Sequence, residues 1–295
     1  MLLYISNVNI RDSILAVLAY HDIFKYPLTK EEIKKYIQVK IDRESALERE
    51  LSTLKKNNLI ENTNGLYFLA GRQNYPKLLR ERNKYSKEKY AKARTYLAII
   101  RHVPSVRLVA ITGALAMNNS TRHDDIDFFV ITAPGMLWTT RFFVNLVLYP
   151  FKRSPKSKHQ NNKACLNIFI DETDLQIKEQ NIYTAHEIAQ MGPMFEKGNT
   201  YQKFIKSNKW IFDYLPNFKA ERASKINHST TNFPNKTSAG AARNLLEFFL
   251  KNVQYRYMKS KITTEKLSDT QLFFHAGSTQ KNILAKYDSL TKTLH

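Results

Sequence analysis

The sequence predicts an α+β protein, mixed α/β within its central part, and three observations carry that reading. Apolar residues recur at helical spacing three times before residue 60, and two short apolar runs around Asn64-Gly65 follow at once. The middle of the chain holds the strand-like runs "VRLVAITG", "DIDFFVIT" and "ACLNIFI". Helical spacing then returns from Asn181 onward. Side chains alternate faces along a strand and return to one face every 3.6 residues along a helix, so each change of period marks a change of element.

The first element is a helix beginning near Asp12, with Ile14, Leu15, Val17, Leu18 and Ile23 at helical spacing. The second opens at "LTKEEIKKYI", where Thr29 as N-cap and Glu32 three residues later form a capping box behind Pro27. The third, Arg43 to Asn57, sets Leu47, Leu51 and Leu54 on one stripe. "LIENTNGLYFL" then reads as two strands joined by Asn-Gly, the strongest short hairpin signal. The segments "PLTKEEI" and "ALERELSTLKKNNLIENTNGLYFL" resemble the winged-helix domains of bacterial regulators, which places a winged helix at residues 1–72. That resemblance implies a third helix able to enter a major groove and makes Arg43, Arg49, Lys55 and Lys56 candidate contacts with nucleic acid, among Glu44, Glu48 and Glu50.

A basic helix links this unit to the middle of the chain, over residues 73–104, with Pro104 as its stop. Next come the strand "VRLVAITG", a short helix from Ala114 to Asn118, a polar loop and "DIDFFVIT". On that last strand Asp125 and Asp127 point to one face while Ile126 points into the core. Two carboxylates on one face make a site for a hard divalent cation such as Mg²⁺ or Mn²⁺, whose other positions take water and substrate phosphate. Gly113 lets backbone approach a triphosphate closely, with the amide of Ala114 at the helix start. Ser120, Thr121 and Arg122, in the loop from Asn118 to His123, are candidate phosphate contacts; Asp124 should face away from Asp125.

Gly113-Ala114, ten residues from Leu115 to Asp124, and then Asp125-Ile126-Asp127 resemble the nucleotidyltransferase superfamily that includes DNA polymerase beta and kanamycin nucleotidyltransferase. Its mark is Gly-Ser, about ten residues, then Asp-hydrophobic-Asp or Glu. The resemblance implies a small mixed sheet over residues 105–180, a nucleoside triphosphate as substrate and transfer of a nucleoside monophosphate to an acceptor, a nucleic acid or protein among the choices. Two positions depart from the pattern. The Ser is Ala114, a change that removes one phosphate hydrogen bond of about 0.5–1.5 kcal/mol. The third carboxylate of the family stands on a later antiparallel strand, where "ACLNIFIDETDLQI" offers Asn167 as its interior polar residue. Asn167 can ligate a metal through its carbonyl but accepts no proton at neutral pH; Asp171 and Asp174 at the strand end are the alternatives. A domain that binds nucleotide without catalysis, acting as a sensor or DNA-binding regulator, is the second functional reading.

The helix "GMLWTTRFFVNLVLYPF" places Trp138, Phe142, Phe143 and Leu146 in the core and leaves Arg141 in need of an anionic partner. "NIYTAHEIAQM" and "YQKFIKSNKWIFDYLP" read as two helices, with His186, Trp210 and Tyr214 as packing residues. Together with the amino-terminal unit they resemble an uncharacterised bacterial group of nucleotidyltransferase-like proteins. The remainder, residues 181–295, reads as a helical region with a flexible stretch at 217–238, a strong helix from Ala241 to Met258 and a last one near Lys281 to Leu290.

Composition bounds these readings: 295 residues, 43% hydrophobic, are enough for a buried core. A net charge of +20 predicts attraction to polyanions, nucleotides and nucleic acid among them. Basic residues dominate Arg72 to Arg101 and Phe151 to Lys163. No apolar run approaches a membrane span and no signal peptide is evident, so the expected location is cytoplasmic. The single cysteine, Cys165, lies in an apolar run and reads as a buried, inert thiol.

Overall fold

A computed structural model describes residues 9–153, 160–220, 227–228, 240–259, 266–274 and 277–294. Asn9 accepts from the backbone N–H of Asp12 and caps α1 (Ile10–Asp22). On α2 (Lys30–Tyr36) the predicted capping box is complete: Thr29 accepts from the Glu32 N–H and Glu32 from the Thr29 N–H. α3 (Glu44–Lys56) buries Leu47, Leu51 and Leu54. β1 (Ile60–Thr63) and β2 (Leu66–Leu69) pair antiparallel across Asn64 and Gly65, both at positive φ, 54° and 82°. That backbone matches the twist of the two strands. Leu28, ahead of α2, pairs with Tyr67 and ties the hairpin to the helices. Glu44 and Glu48 are held by Lys30 and Lys34 of α2, at 2.6 to 3.2 Å.

α4 (Tyr75–Ile100) is one continuous helix leading to the central sheet. That sheet runs β7-β6-β3-β4-β5-β9-β8, formed by β3 (Val106–Ile111), β4 (Ile126–Thr132), β5 (Ala164–Asp171), β6 (Gly192–Glu196), β7 (Asn227–His228), β8 (Lys266–Leu267) and β9 (Gln271–Phe273). β3 is antiparallel to β4 and β6, whereas β4 and β5 are parallel. The third strand is therefore not antiparallel as expected. Parallel neighbours need a crossover, and α6 (Leu137–Val147) lies in that connection. The sheet also continues past residue 180, because β6 and β9 pair with β3 and β5. Both strands are short, and β6 carries Pro193, so neither shows alternating apolar residues over enough length to be read.

The two faces of the sheet belong to two cores. Leu108, Ala110, Phe129 and Ile131 pack in one cluster with α1 to α3 and with α7 (Ile182–Gln190), α8 (Thr200–Ser207) and α9 (Ile211–Tyr214). Val109, Ile111, Phe128 and Val130 pack in the other with α4 and α6. α8 and α9, read from sequence as one helix, are broken at Asn208. Its buried side chain donates to the Leu175 and Phe204 carbonyls and accepts from Ile177 N–H and Trp210 Nε1. α11 (Gly277–Thr293) packs on α1 and α7.

The expectation that the apolar residues of α6 are core needs correction. Trp138 is buried, but Phe143 and Leu146 of α6 are exposed. On α10 (Gly240–Lys259) the stripe Leu245, Phe249, Val253 and Tyr257 is exposed as well. α6 and α10 pack on each other and so leave apolar side chains outward that periodicity alone assigns to a core. Arg141 has no anionic partner among the described residues. It donates to Gln254 Oε1 at 2.5 Å and lies over the Phe274 ring at 4.8 Å, a neutral amide and a π face in place of an anion. Most of the predicted flexible stretch, 221–226 and 229–238, lies outside the described residues, as do 154–159 of the second basic run. Among the described residues no helix is long and apolar enough to cross a membrane.

Candidate functional site

The site is built where β3 leaves the sheet beside β4. Thr112 donates its N–H to the Asp127 carbonyl at 3.1 Å. Gly113 follows at φ +63°, and a Cβ placed on it would lie 2.8 Å from Asp127 Oδ2. Left-handed backbone and lack of room both select glycine here, so Gly113 makes the space that the Asp127 carboxylate occupies. Ala114, exposed, opens α5 (Gly113–Ala116), a single turn. So short a helix adds little dipole for a phosphate.

β4 begins at Ile126, with Asp125 immediately before it and Asp127 in its second position. Ile126 is fully buried in the α4–α6 core. The alternation predicted from sequence holds: the ligand atoms of Asp125, Asp127 and Cys165, which stands opposite Asp127 in register, lie within 4.8 Å of one another.

The third position is Asn167. An irregularity in the β4–β5 register lies between Leu166 and Ile168, and Asn167 sits there without a partner residue on β4. It donates its amide N–H to Asp127 Oδ1 and accepts from Cys165 Sγ at 2.8 Å. Its amide nitrogen, not the carbonyl oxygen expected for a metal ligand, is turned to the acid pair. Asp171 pairs with Thr132, five residues up β4 and so roughly 15 Å away at strand rise. Its oxygens accept from the N–H groups of Met136 and Thr173 and from the Thr173 hydroxyl. Asp174 accepts from the Thr270 hydroxyl. Neither completes the pair; both brace turns at the other end of the sheet.

Charge at the site is strongly unbalanced on the side of Asp127. Burial first, then Asp125 and Glu187, push its carboxyl up to about 7. Glu187, on α7, is itself raised to about 7 by burial. Asp125 is paired: Arg153 Nη1 donates to its Oδ2 at 2.9 Å and to Cys165 Sγ at 3.6 Å. Burial and the two aspartates push the Cys165 thiol far up, so it stays protonated and inert, as its apolar setting in the sequence predicts.

The loop before β4 is tied to α4 rather than open over the site. Ser120 is buried, its N–H on Ser86 Oγ at 3.2 Å. Thr121 donates both its N–H and its hydroxyl to Asp124, at 2.8 and 2.6 Å. Lys89 Nζ donates to the Asp124 carbonyl at 2.5 Å and to Asn162 Oδ1 at 3.0 Å. Arg122 is exposed, leaving it as the loop side chain best placed to meet solvent anions. His186 is a core residue, stacked on Tyr20 with ring centroids 3.9 Å apart.

Three residues of the site were not singled out from the sequence: Arg153, Tyr183 and Glu187. Arg153 stood in a run of basic residues that reads as solvated. Glu187 had a usable signal, an acid among Ile182, Ala185, Ile188 and Ala189 on an otherwise apolar helix, the same oddity that marked Arg141. Tyr183, one turn before Glu187, feels the charge of both Glu187 and Asp127.

The donors present fit one hard divalent cation. Two carboxylates converge, mutual repulsion opposes their joint ionisation, and a cation would relieve it. Mg²⁺ or Mn²⁺ suits the two oxygen donors, which outnumber the single sulfur of Cys165 in the cluster. With Asn167 in the third position the strand supplies no further carboxylate for a second ion. Compared with protein families, curated proteins and solved structures, the chain matches none.

Proposed function

We propose that this protein is a metal-dependent nucleotidyltransferase, transferring a nucleoside monophosphate from a nucleoside triphosphate to an acceptor. The observation that carries the reading is the packing of Gly113 against Asp127: the glycine turn and the acid strand are fitted to each other at 2.8 Å. Asp125 and Asp127 hold the cation. When bound, Mg²⁺ or Mn²⁺ supplies charge neutralisation to the phosphates and orients them for displacement. The N–H groups at Gly113 and Ala114 would hold phosphate, and exposed Arg122 would add a cation at the loop. Arg153 exchanges its bond to Asp125 for a phosphate oxygen, a geometry that guanidinium favours. Asn167 fixes the Asp127 carboxylate through its N–H and takes no proton.

The test is binding and turnover of labelled nucleoside triphosphates with Mg²⁺ or Mn²⁺, wild type against Asp127→Asn and Asp125→Asn. Metal-dependent nucleotide binding lost in both variants supports the reading; its absence from wild type refutes it.

A second reading, a nucleotide sensor or nucleic-acid-binding regulator without catalysis, is favoured by two observations. Asn167 replaces the third acid, and Arg153 already neutralises Asp125. It predicts nucleotide binding without turnover. Arg43, Arg49, Lys55 and Lys56 are also exposed, and Arg49 and Lys56, seven residues apart, share one side of α3 where they can meet phosphate, while Glu44 and Glu48 are paired with Lys30 and Lys34.

A further inference from the structure

A cavity of about 320 Å³ opens on the same face of the sheet as Asp127, between β5, β9, α7 and the start of α11. Its surface is mainly apolar, with Ile168, Ile177, Leu267 and Phe273 lining it together with Tyr183, and polar residues such as Thr184 and Gln271 among them. That volume is in the range of small-molecule sites. Glu187 also lines it, one helical turn from Tyr183. Among the described residues no hydrogen bond or ion pair reaches the Glu187 carboxylate. Of the two lysines in the lining, Lys266 is engaged in an ion pair with Glu179. Lys178 is exposed at the mouth.

Glu187 is half-buried; an acid partly withdrawn from water without a counter-ion is disfavoured, and a ligand that fills the cavity and brings the positive charge removes that cost. Aromatic rings beside that acid favour a cation over a neutral group. Ile168 in the lining stands opposite Phe129, two residues along β4 from Asp127 and on the same face of the sheet, so the cavity opens on the side of the sheet where the acid pair stands. We propose that this cavity is the acceptor pocket and that it takes a small molecule with an apolar body and an ammonium group, which pairs with the Glu187 carboxylate. This assignment rests on the nucleotidyltransferase reading only for the word acceptor; the cavity and its unpaired acid stand without it. The pairing anchors the molecule and includes no covalent step.

The full chain is titrated at pH 8 with 2-phenylethylamine, 2-phenylethanol and phenylacetate, followed by calorimetry and ligand-observed NMR. The amine should bind about tenfold or more tightly than the alcohol, and phenylacetate more weakly than either. Glu187→Gln should bring amine and alcohol to equal affinity. Thr279→Trp, at an exposed rim position, should block both without touching the fold, and it decides the question if Glu187→Gln does not fold. Mn²⁺ should broaden the resonances of bound amine, and Asp127→Asn should abolish that broadening. Equal binding of amine and alcohol in wild type, an amine preference surviving in folded Glu187→Gln, or binding unchanged in Thr279→Trp overturns the pocket. Bound amine left sharp by Mn²⁺ that does bind the protein overturns the acceptor assignment. Failure of the nucleotide reading looks different: Mn²⁺-dependent ATP binding is absent while the amine preference and its loss in Glu187→Gln persist.

Discussion

Replacing Gly113 with alanine tests the central contact of the site, and the structure supplies its own control. Gly113 and Gly135 have nearly the same backbone, φ +63° and +64°. An alanine at either position is held in left-handed space at a cost of about 1–2 kcal/mol. Around Gly135 a new Cβ meets nothing within 4 Å, whereas at Gly113 it meets Asp127 Oδ2 at 2.8 Å. The difference between the two variants therefore isolates the contact. To relieve it Asp127 must turn, and turning breaks its hydrogen bond with the Asn167 amide. A hydrogen bond to a charged group contributes about 1.5–3 kcal/mol, so Gly113→Ala should be less stable than Gly135→Ala by about that much. Urea denaturation of both variants at pH 8, above the raised Asp127 carboxyl, gives the numbers. Adding Asp127→Ala to Gly113→Ala removes the obstructed group, so the double variant should be more stable than the sum of its parts by at least 1 kcal/mol. Strict additivity, within about 0.5 kcal/mol, or equal destabilisation by Gly113→Ala and Gly135→Ala, refutes the fitted pair on which the functional reading stands.

Other outcomes follow from the same charges. Asp127, raised to about 7, binds its proton more tightly folded than unfolded, so its contribution to stability is present at low pH and lost as pH rises from about 4 to about 7. His21, lowered to about 4 by burial, and His186, lowered also, act with the opposite sign, losing stability as pH falls below the usual histidine value. The Asp127 share is therefore read as the difference in urea midpoint between wild type and Asp127→Asn, which should favour the variant at pH 8 and vanish by pH 4; a constant difference refutes it. Arg153→Ala frees Asp125, so Mn²⁺ affinity without nucleotide should rise several-fold while affinity for the Mn²⁺–triphosphate falls; both moving together contradicts the exchange of partners. On the regulatory reading, removing Arg49, Lys55 and Lys56 together should reduce the salt slope of DNA binding by up to about 2.7, at about 0.9 per phosphate contact. An unchanged slope excludes α3 as the contact.

The parts legible in the sequence share one property, that neighbours in the chain determine them. The capping box of Thr29 and Glu32, the Asn64-Gly65 turn and the common face of Asp125 and Asp127 each follow from residues within a few positions of one another. What was not legible depends on distant partners. β4 and β5 are parallel because α6 carries the chain across the sheet, and no local pattern distinguishes that from an antiparallel return. Gln271 to Phe273 become a strand only because β5 offers them an edge. Phe143 and Leu146 read as core because their own helix is apolar, yet the helix that packs beside them leaves them outside.

The third acid shows the same limit at the site itself. By strand order alone the position belongs to Asn167 as a carbonyl ligand, whereas the structure turns its amide nitrogen onto Asp127. A further acid nevertheless acts on the pair. Glu187 stands on α7, an element of a different period and more than 50 residues beyond the pair in sequence, and its charge is felt at Asp127. A chain of net charge +20 thus sets Asp125 and Glu187 where their charge reaches Asp127, and among the described residues Arg153 pairs with the first of the three acids. Surplus cations elsewhere on the surface would make such pairing easy, so the uncompensated acids are best understood as places for positive charge that arrives from outside: a divalent ion at the aspartates and an ammonium group at Glu187.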